Sequence, residues 1–288
     1  MILFWEYFIF NTTNELNLTE YNITESDRTV NYCGGVLMLL LFIPSTILNP
    51  IVFCHYFNKK FTATTALFQL LAISDFITNF YFPLYYGYNM IKPNIALSPP
   101  ITLLEDINIC ACCLTGCMSL VITSVLSGAR YISVRRPFFK INKHSVLLYL
   151  FLYLVFELGV EITIIVSTMR GELIPVSKAV IACIAMNAVH CIAGTIASVL
   201  TVYHLNHLKL EFVFSNERSM SDNRKSCTTI LLMNIASSVW IFLCGIRYLE
   251  EQVLGWINLN AMDFIMWFFL PTITSALNPI LCEVPTQH

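Results

Sequence analysis

Seven long apolar stretches limit the possible folds of this 288-residue chain more than any other feature. A helix needs about 20 apolar residues to cross the hydrocarbon core of a bilayer, and each stretch reaches that length. Little chain is left for a water-soluble domain. We therefore predict an all-α membrane protein, a bundle of seven transmembrane helices. The predicted helices are Tyr32–Tyr56, Thr65–Tyr88, Ile107–Val134, Ser145–Thr168, Lys178–Leu205, Cys227–Leu249 and Asn260–Leu281.

The composition supports a lipid environment. Hydrophobic residues make up 57% of the chain and charged residues 12%, which is about half the charged share of a soluble domain. The mean hydropathy is +0.69, so lipid must cover part of the surface. Most of the eleven cysteines lie inside apolar stretches. We expect them to be small packing residues, and no metal-binding spacing stands out.

The distribution of charge predicts the orientation. If the N-terminus is outside, eleven basic residues fall in cytoplasmic loops and five on the outer side, as the positive-inside rule requires. The tail carries glycosylation acceptors at Asn11, Asn17 and Asn22, and such acceptors function only in a luminal segment. We predict an extracellular, glycosylated tail over residues 1–30 and a transmembrane domain over residues 31–288, in the plasma membrane.

Several polar residues interrupt the apolar stretches at particular places. Asp75 lies in the middle of the second stretch, Asn49-Pro50 in the first and Asn278-Pro279 in the seventh. A proline kinks a spanning helix because it removes a backbone hydrogen bond, and an ionisable residue within the membrane usually marks a functional site. The alternative, that these groups only provide polar contacts between helices, stays open for each residue alone.

Four short motifs together resemble a known family. They are Asn49, Leu71-Ala72-x-x-Asp75, Arg130-Tyr131 followed by Pro137, and Asn278-Pro279. In this order they resemble the rhodopsin-like (class A) G protein-coupled receptors across the whole hydrophobic length. The run from Arg130 to Phe138 is similar to chemosensory or peptide-like receptors expanded in invertebrates, so the chain looks like a divergent orphan of the class.

The resemblance implies a receptor rather than an enzyme. Its implied partners are an extracellular ligand, a heterotrimeric G protein and the lipid bilayer, with no nucleic acid. A sodium ion is the one bound species implied, with Asp75 as its central ligand. The implied sodium and polar switch site comprises Asp75, Ser119, Thr274, Ser275 and Asn278. The implied ligand pocket comprises Asn108, Cys112, Met186, Trp240, Arg247 and Trp267. The implied G-protein contact comprises Arg130, Tyr131, Pro137, Phe138, Tyr203 and Asp222.

The chain also departs from the family's pattern. Ala129 stands where the family has an acid before Arg130, which predicts raised basal activity, and Asp222 has the spacing of a second acid that pairs with that arginine. Glu157 and Glu161 share one face of the fourth helix, and they line either the cavity or the lipid side. Three alternatives to a signalling receptor are a decayed receptor, a channel or transporter, and an intramembrane enzyme. Scattered histidines argue against the enzyme.

Overall fold

The computed structural model describes residues 25–91, 103–136, 138–170, 173–211 and 217–254, and residues 273, 275, 276 and 278. Six long helices account for almost all of these residues. They are α1 (Glu25–Phe57), α2 (Ala63–Ile91), α3 (Leu103–Arg135), α4 (Lys143–Met169), α5 (Leu173–Glu211) and α6 (Glu217–Leu254). Ile273, Ser275, Ala276 and Asn278 are helical as well.

Each helix covers one of the first six predicted stretches, so the prediction of an all-α protein is confirmed over the described residues. The seventh stretch, Asn260–Leu281, lies largely outside them, and the described part of the chain does not establish a bundle of seven helices. Among the described residues, four segments are long and apolar enough to cross a membrane, and they indicate a membrane protein. These segments are Tyr32–Phe57, Leu114–Arg135, Lys143–Ser167 and Lys178–Asn206.

Local sequence signals explain where two helices begin. At the start of α2, the Thr65 amide donates to Thr62 Oγ1 at 3.2 Å, and the Thr62 amide donates to Thr65 Oγ1 at 2.8 Å. This reciprocal pair satisfies two amides that would otherwise have no partner in the helix. At the start of α4, the His144 amide donates to Asn142 Oδ1 at 3.0 Å. Short polar loops therefore set these helix starts.

Polarity is arranged opposite to that of a water-soluble protein. Along α1, Leu40, Ile43 and Ile47 are each more than half exposed, whereas Ser45 and Asn49 are fully buried. Helices α2, α4, α5 and α6 share this arrangement: large apolar side chains cover their outer faces, and polar residues lie inside. An exposed apolar face is stable in lipid but not in water. The surface therefore supports a membrane location independently of helix length.

Helix α3 occupies the centre, with contacts to α2, α4, α5 and α6, while α1 packs along α2. The main apolar cluster lies between α1, α2, α3, α4 and α6, and Leu67, Val121 and Leu126 are completely buried in it. Tyr56 and Phe68 stack in the same cluster with ring centroids 4.5 Å apart. The central position of α3 brings its polar residues close to several other helices.

Helices α3, α5 and α6 lie close together at Gly194. A Cβ atom at this position would lie 2.3 Å from Asn234 Oδ1 and 2.9 Å from the Ser124 Cα. Asn234 Nδ2 donates to Ser127 Oγ at 2.7 Å, and Ser124 Oγ donates to the His190 carbonyl at 2.7 Å. Small residues such as glycine and serine let neighbouring membrane helices approach each other closely and form hydrogen bonds between them.

Candidate functional site

Asp75 on α2 carries a completely buried carboxylate. This carboxylate is the centre of a polar cluster that borders α1. Ser119 Oγ on α3 donates to Asp75 Oδ1 at 2.7 Å. Asn278 Nδ2 donates to Asp75 Oδ2 at 2.7 Å, and Ser275 lies beside the same carboxylate. The cluster thus joins α2, α3 and the helical residues near the C-terminus, and both carboxylate oxygens accept hydrogen bonds.

A second buried amide borders this cluster. Asn49 on α1 donates through Nδ2 to the carbonyl and hydroxyl oxygens of Ser45, at 3.1 and 2.9 Å. Its Oδ1 is buried, and it has no hydrogen-bond partner among the described residues. Asn49, Asp75 and Asn278 line one gap that is too narrow for a water molecule. An unsatisfied acceptor beside a buried carboxylate favours a cation or a proton there.

The structure therefore brings together four of the five residues predicted for the sodium and polar switch site. They are Asp75, Ser119, Ser275 and Asn278. The fifth, Thr274, lies outside the described residues. Carboxylate, hydroxyl and amide oxygens are the ligands that hard cations prefer. The donor set can thus hold a small hard cation, and the narrow gap means that protein oxygens would have to supply most of its ligands.

Arg130 lies near the opposite end of α3 and is only half-buried. Its Nε is buried without a hydrogen-bond partner in the described part of the chain, and its charge lies close enough to affect the Cys227 thiol on α6 electrostatically. The next residue, Tyr131, accepts from Arg135 Nη1 at 2.8 Å. Arg130 thus lies within electrostatic range of α6, at the end of α3 that carries exposed basic residues.

The remaining predicted G-protein contacts have different surroundings. Phe138 is 97% exposed in the loop after α3, and Tyr203 is 55% exposed near the end of α5. The Tyr131 ring lies 5.9 Å from the His204 ring, which places α3 and α5 side by side there. Pro137 lies outside the described residues. Asp222 belongs to α6, but its side chain is outside the described part, so its pairing with Arg130 stays a prediction.

The predicted ligand pocket is described only in part. Met186 lies on the exposed face of α5, so the structure does not place it in the interior. Trp240 is half-buried against the cluster of Leu120, Cys191 and Ile241. The other pocket residues, Asn108, Cys112, Arg247 and Trp267, have side chains outside the described part, as do the predicted glycosylation acceptors Asn11, Asn17 and Asn22.

A second polar cluster links α3, α4 and α5. Glu157 is completely buried and Glu161 nearly so, which decides between the two positions left open by the sequence: both lie inside. Tyr153 donates to Glu157 Oε1 and lies 2.9 Å from Asn187 Oδ1. Asn187 Nδ2 donates to Glu157 Oε1 at 3.2 Å. Cys183 Sγ lies 3.5 Å from Glu157 Oε2.

The sequence interpretation missed this cluster. Its signal is the four-residue spacing of Tyr149, Tyr153, Glu157 and Glu161, which places four polar groups on one helical face. The cluster extends towards Tyr149, which contacts the ring of His190 on α5. His190 Nδ1 in turn lies 2.7 Å from the Met186 carbonyl. The spacing along α4 therefore indicated that these four side chains share one face of the helix. It did not indicate which residues of α3 and α5 they would contact.

No protein-family model matches this chain, and no curated protein is similar enough to match it. Any assignment of function therefore rests on the motifs in the sequence, together with the geometry of the two buried clusters and the exposed apolar surface.

Proposed function

We propose that this chain is a seven-helix receptor of the plasma membrane that senses an extracellular ligand and activates an intracellular heterotrimeric G protein. Its N-terminus would be extracellular, and Asn260–Leu281 would form the seventh spanning helix. The proposal rests on the resemblance to rhodopsin-like receptors. One observation carries it: Asp75 and Asn278, which belong to separate motifs, meet in one buried cluster together with Ser119. Apolar composition alone would not require these three residues to meet.

The Asp75 cluster offers a mechanism for switching. A sodium ion held by Asp75, Ser119 and Ser275 would stabilise the arrangement in which α2, α3 and the C-terminal helical residues are joined. A ligand that favours a different arrangement would weaken sodium binding, because coupling between two sites is reciprocal. The unsatisfied Asn49 Oδ1 at the same gap is a further oxygen that supports the proposed site.

The end of α3 offers the proposed contact with the G protein. Phe138 exposes nearly its whole ring, and Arg135, Arg136 and Lys140 around it are exposed as well. An apolar anchor surrounded by positive charge suits an amphipathic helix with acidic residues. Arg130, which is half-buried, would pair with acids or carbonyls of an entering helix.

The sodium part of the proposal is tested by thermal unfolding of the purified protein in detergent. Sodium chloride, compared with choline chloride at equal ionic strength, should raise the unfolding temperature of the parent. Asp75→Ala should abolish that increase because the central ligand is lost. Thr123→Val is the matched control, since Thr123 is equally buried on α3 but bonds only within its own helix. An equal sodium effect in Asp75→Ala would contradict the cluster assignment.

The signalling part requires a separate assay. The parent in lipid nanodiscs should accelerate nucleotide exchange on at least one member of a panel of purified heterotrimeric G proteins. Arg130→Ala should abolish the exchange while leaving the unfolding temperature unchanged. Vesicles that contain the protein should show no solute flux. Flux without nucleotide exchange would instead favour a transporter or channel, and absence of both would favour a decayed receptor.

A further inference from the structure

Two thiols and a carboxylate from three different helices meet inside the protein. They belong to Cys117 on α3, Glu157 on α4 and Cys183 on α5, and their ligand atoms all lie within 4.8 Å of one another. Cys183 Sγ is 3.5 and 3.9 Å from the two oxygens of the Glu157 carboxylate. Cys117 Sγ lies within 4.8 Å of the Cys183 thiol. All three side chains are buried, so the cluster is enclosed by protein.

The spacing of these atoms suits a tetrahedral metal ion. Zinc binds sulfur at about 2.3 Å and carboxylate oxygen at about 2.0–2.2 Å, so in tetrahedral geometry these two ligand atoms lie about 3.6 Å apart. The observed 3.5 Å between Cys183 Sγ and Glu157 Oε2 is close to that separation. Little rearrangement would be needed for both atoms to bind one ion.

The chemistry of the ligands selects the kind of ion. Thiolates are soft ligands that prefer zinc or copper(I), whereas sodium, magnesium and calcium prefer oxygen. A carboxylate beside two sulfurs suits zinc, which accepts both ligand types. We propose that Cys117, Glu157 and Cys183 supply three ligands of a zinc ion that holds α3, α4 and α5 together.

Neighbouring side chains supply the supporting contacts that such a site needs. Asn187 Nδ2 lies 3.5 Å from Cys117 Sγ and 3.4 Å from Cys183 Sγ. It also lies 3.2 Å from Glu157 Oε1 and 3.0 Å from the Cys183 carbonyl. An amide nitrogen has two hydrogens, so it cannot satisfy four acceptors, and electron-rich atoms remain for a cation.

The balance of charge points in the same direction. Two thiolates neutralise one zinc ion, and the Tyr153 hydroxyl and the Asn187 amide donate to the carboxylate that brings the remaining negative charge. Donors around the ligands orient them and tune the affinity for the metal. Buried Glu161, one turn further along α4, is a second acidic side chain near Cys117. The site stands on this geometry and does not depend on the proposed receptor function.

The test is the metal content of the purified full chain after equilibration with zinc and removal of free metal. Mass spectrometry of the elements should give about one zinc per chain for the parent. Cys117→Ser, Cys183→Ser and Glu157→Gln should each lose most of it. Cys191→Ser and Cys227→Ser are matched controls, because both are buried thiols on α5 and α6 outside the cluster, and they should retain stoichiometric zinc.

A second measurement keeps the proposal falsifiable if a variant fails to fold. Cobalt in place of zinc should give the parent intense thiolate-to-cobalt charge-transfer absorption, and a chelator should lower its unfolding temperature. Asn187→Ala should weaken zinc binding by about 10–100-fold because it removes a supporting donor. A parent without bound zinc or a cobalt–thiolate band would overturn the proposal. Stoichiometric zinc in a folded Cys117→Ser/Cys183→Ser variant, or a Cys117–Cys183 disulfide in freshly isolated protein, would also overturn it.

Discussion

Of Gly116, Gly128, Gly159, Gly194 and Gly245, Gly194 should be the position at which an added methyl group is most damaging. In Gly194→Ala the new Cβ would lie 2.3 Å from Asn234 Oδ1, 2.9 Å from the Ser124 Cα and 3.0 Å from Ser124 Oγ. The Asn234 side chain can rotate away, but only by losing its hydrogen bonds to Ser127 and Ser198. The Ser124 Cα belongs to the α3 backbone, so α3 and α5 must separate.

The size of the effect follows from two opposing contributions. Overpacking of a tight interior costs about 1–3 kcal/mol, and the backbone contact places Gly194→Ala towards the upper end. Alanine in place of glycine within a helix contributes about 1 kcal/mol of stability. The net loss should be about 1–2 kcal/mol. A Cβ at Gly159 on α4 would meet nothing within 4 Å. Gly159→Ala should therefore show only the increase in stability that alanine contributes within a helix.

The assay is thermal unfolding of each variant in the same detergent at matched protein concentration. Gly194→Ala should unfold several degrees below the parent, and Gly159→Ala at or above it. Adding Asn234→Ala to Gly194→Ala should recover part of the loss relative to Asn234→Ala alone, because the closest contact is then absent. A Gly194→Ala variant as stable as Gly159→Ala would refute the close approach of α3, α5 and α6.

Three further predictions concern other parts of the chain. Asn234→Leu should destabilise the protein by about 1–3 kcal/mol, because the buried hydroxyl of Ser127 loses its donor; an unchanged unfolding temperature would contradict this. Ala129→Asp should lower ligand-free nucleotide exchange because it restores an acid beside Arg130, and Asp222→Ala should raise the exchange because it removes one. Each change should be about tenfold if the pairing with Arg130 is worth about 1.4 kcal/mol. Equal exchange in both variants and the parent would refute the proposed restraint. Glycosidase treatment should lower the apparent mass of the membrane-inserted chain unless Asn11, Asn17 and Asn22 are all changed to Gln, and a parent of unchanged mass would contradict the outside N-terminus.

The sequence alone determined where the helices lie. Apolar length is a local property, and the six described helices cover the first six predicted stretches. The motif around Asp75 was also readable, because a carboxylate within an apolar helix requires polar partners. The resemblance placed Ser119, Ser275 and Asn278 near it in advance, and the structure brings all three to the same carboxylate.

Only the tertiary structure decided which faces of these helices point inward. A helix that is apolar on all sides gives little information about its buried face, so the sequence left Glu157 and Glu161 on either the cavity or the lipid side. It also gave no reason to exclude Met186 from the interior, yet Met186 lies on the exposed face of α5.

The same limit explains why the second cluster was missed. Cys117 and Cys183 are separated by many residues, and each one alone is typical of a small packing side chain. Their meeting with Glu157 depends on how α3, α4 and α5 rotate about their axes and how closely they pack. Those rotations are set by contacts between helices, including the close approach at Gly194, and such contacts have no signature within a single stretch of sequence.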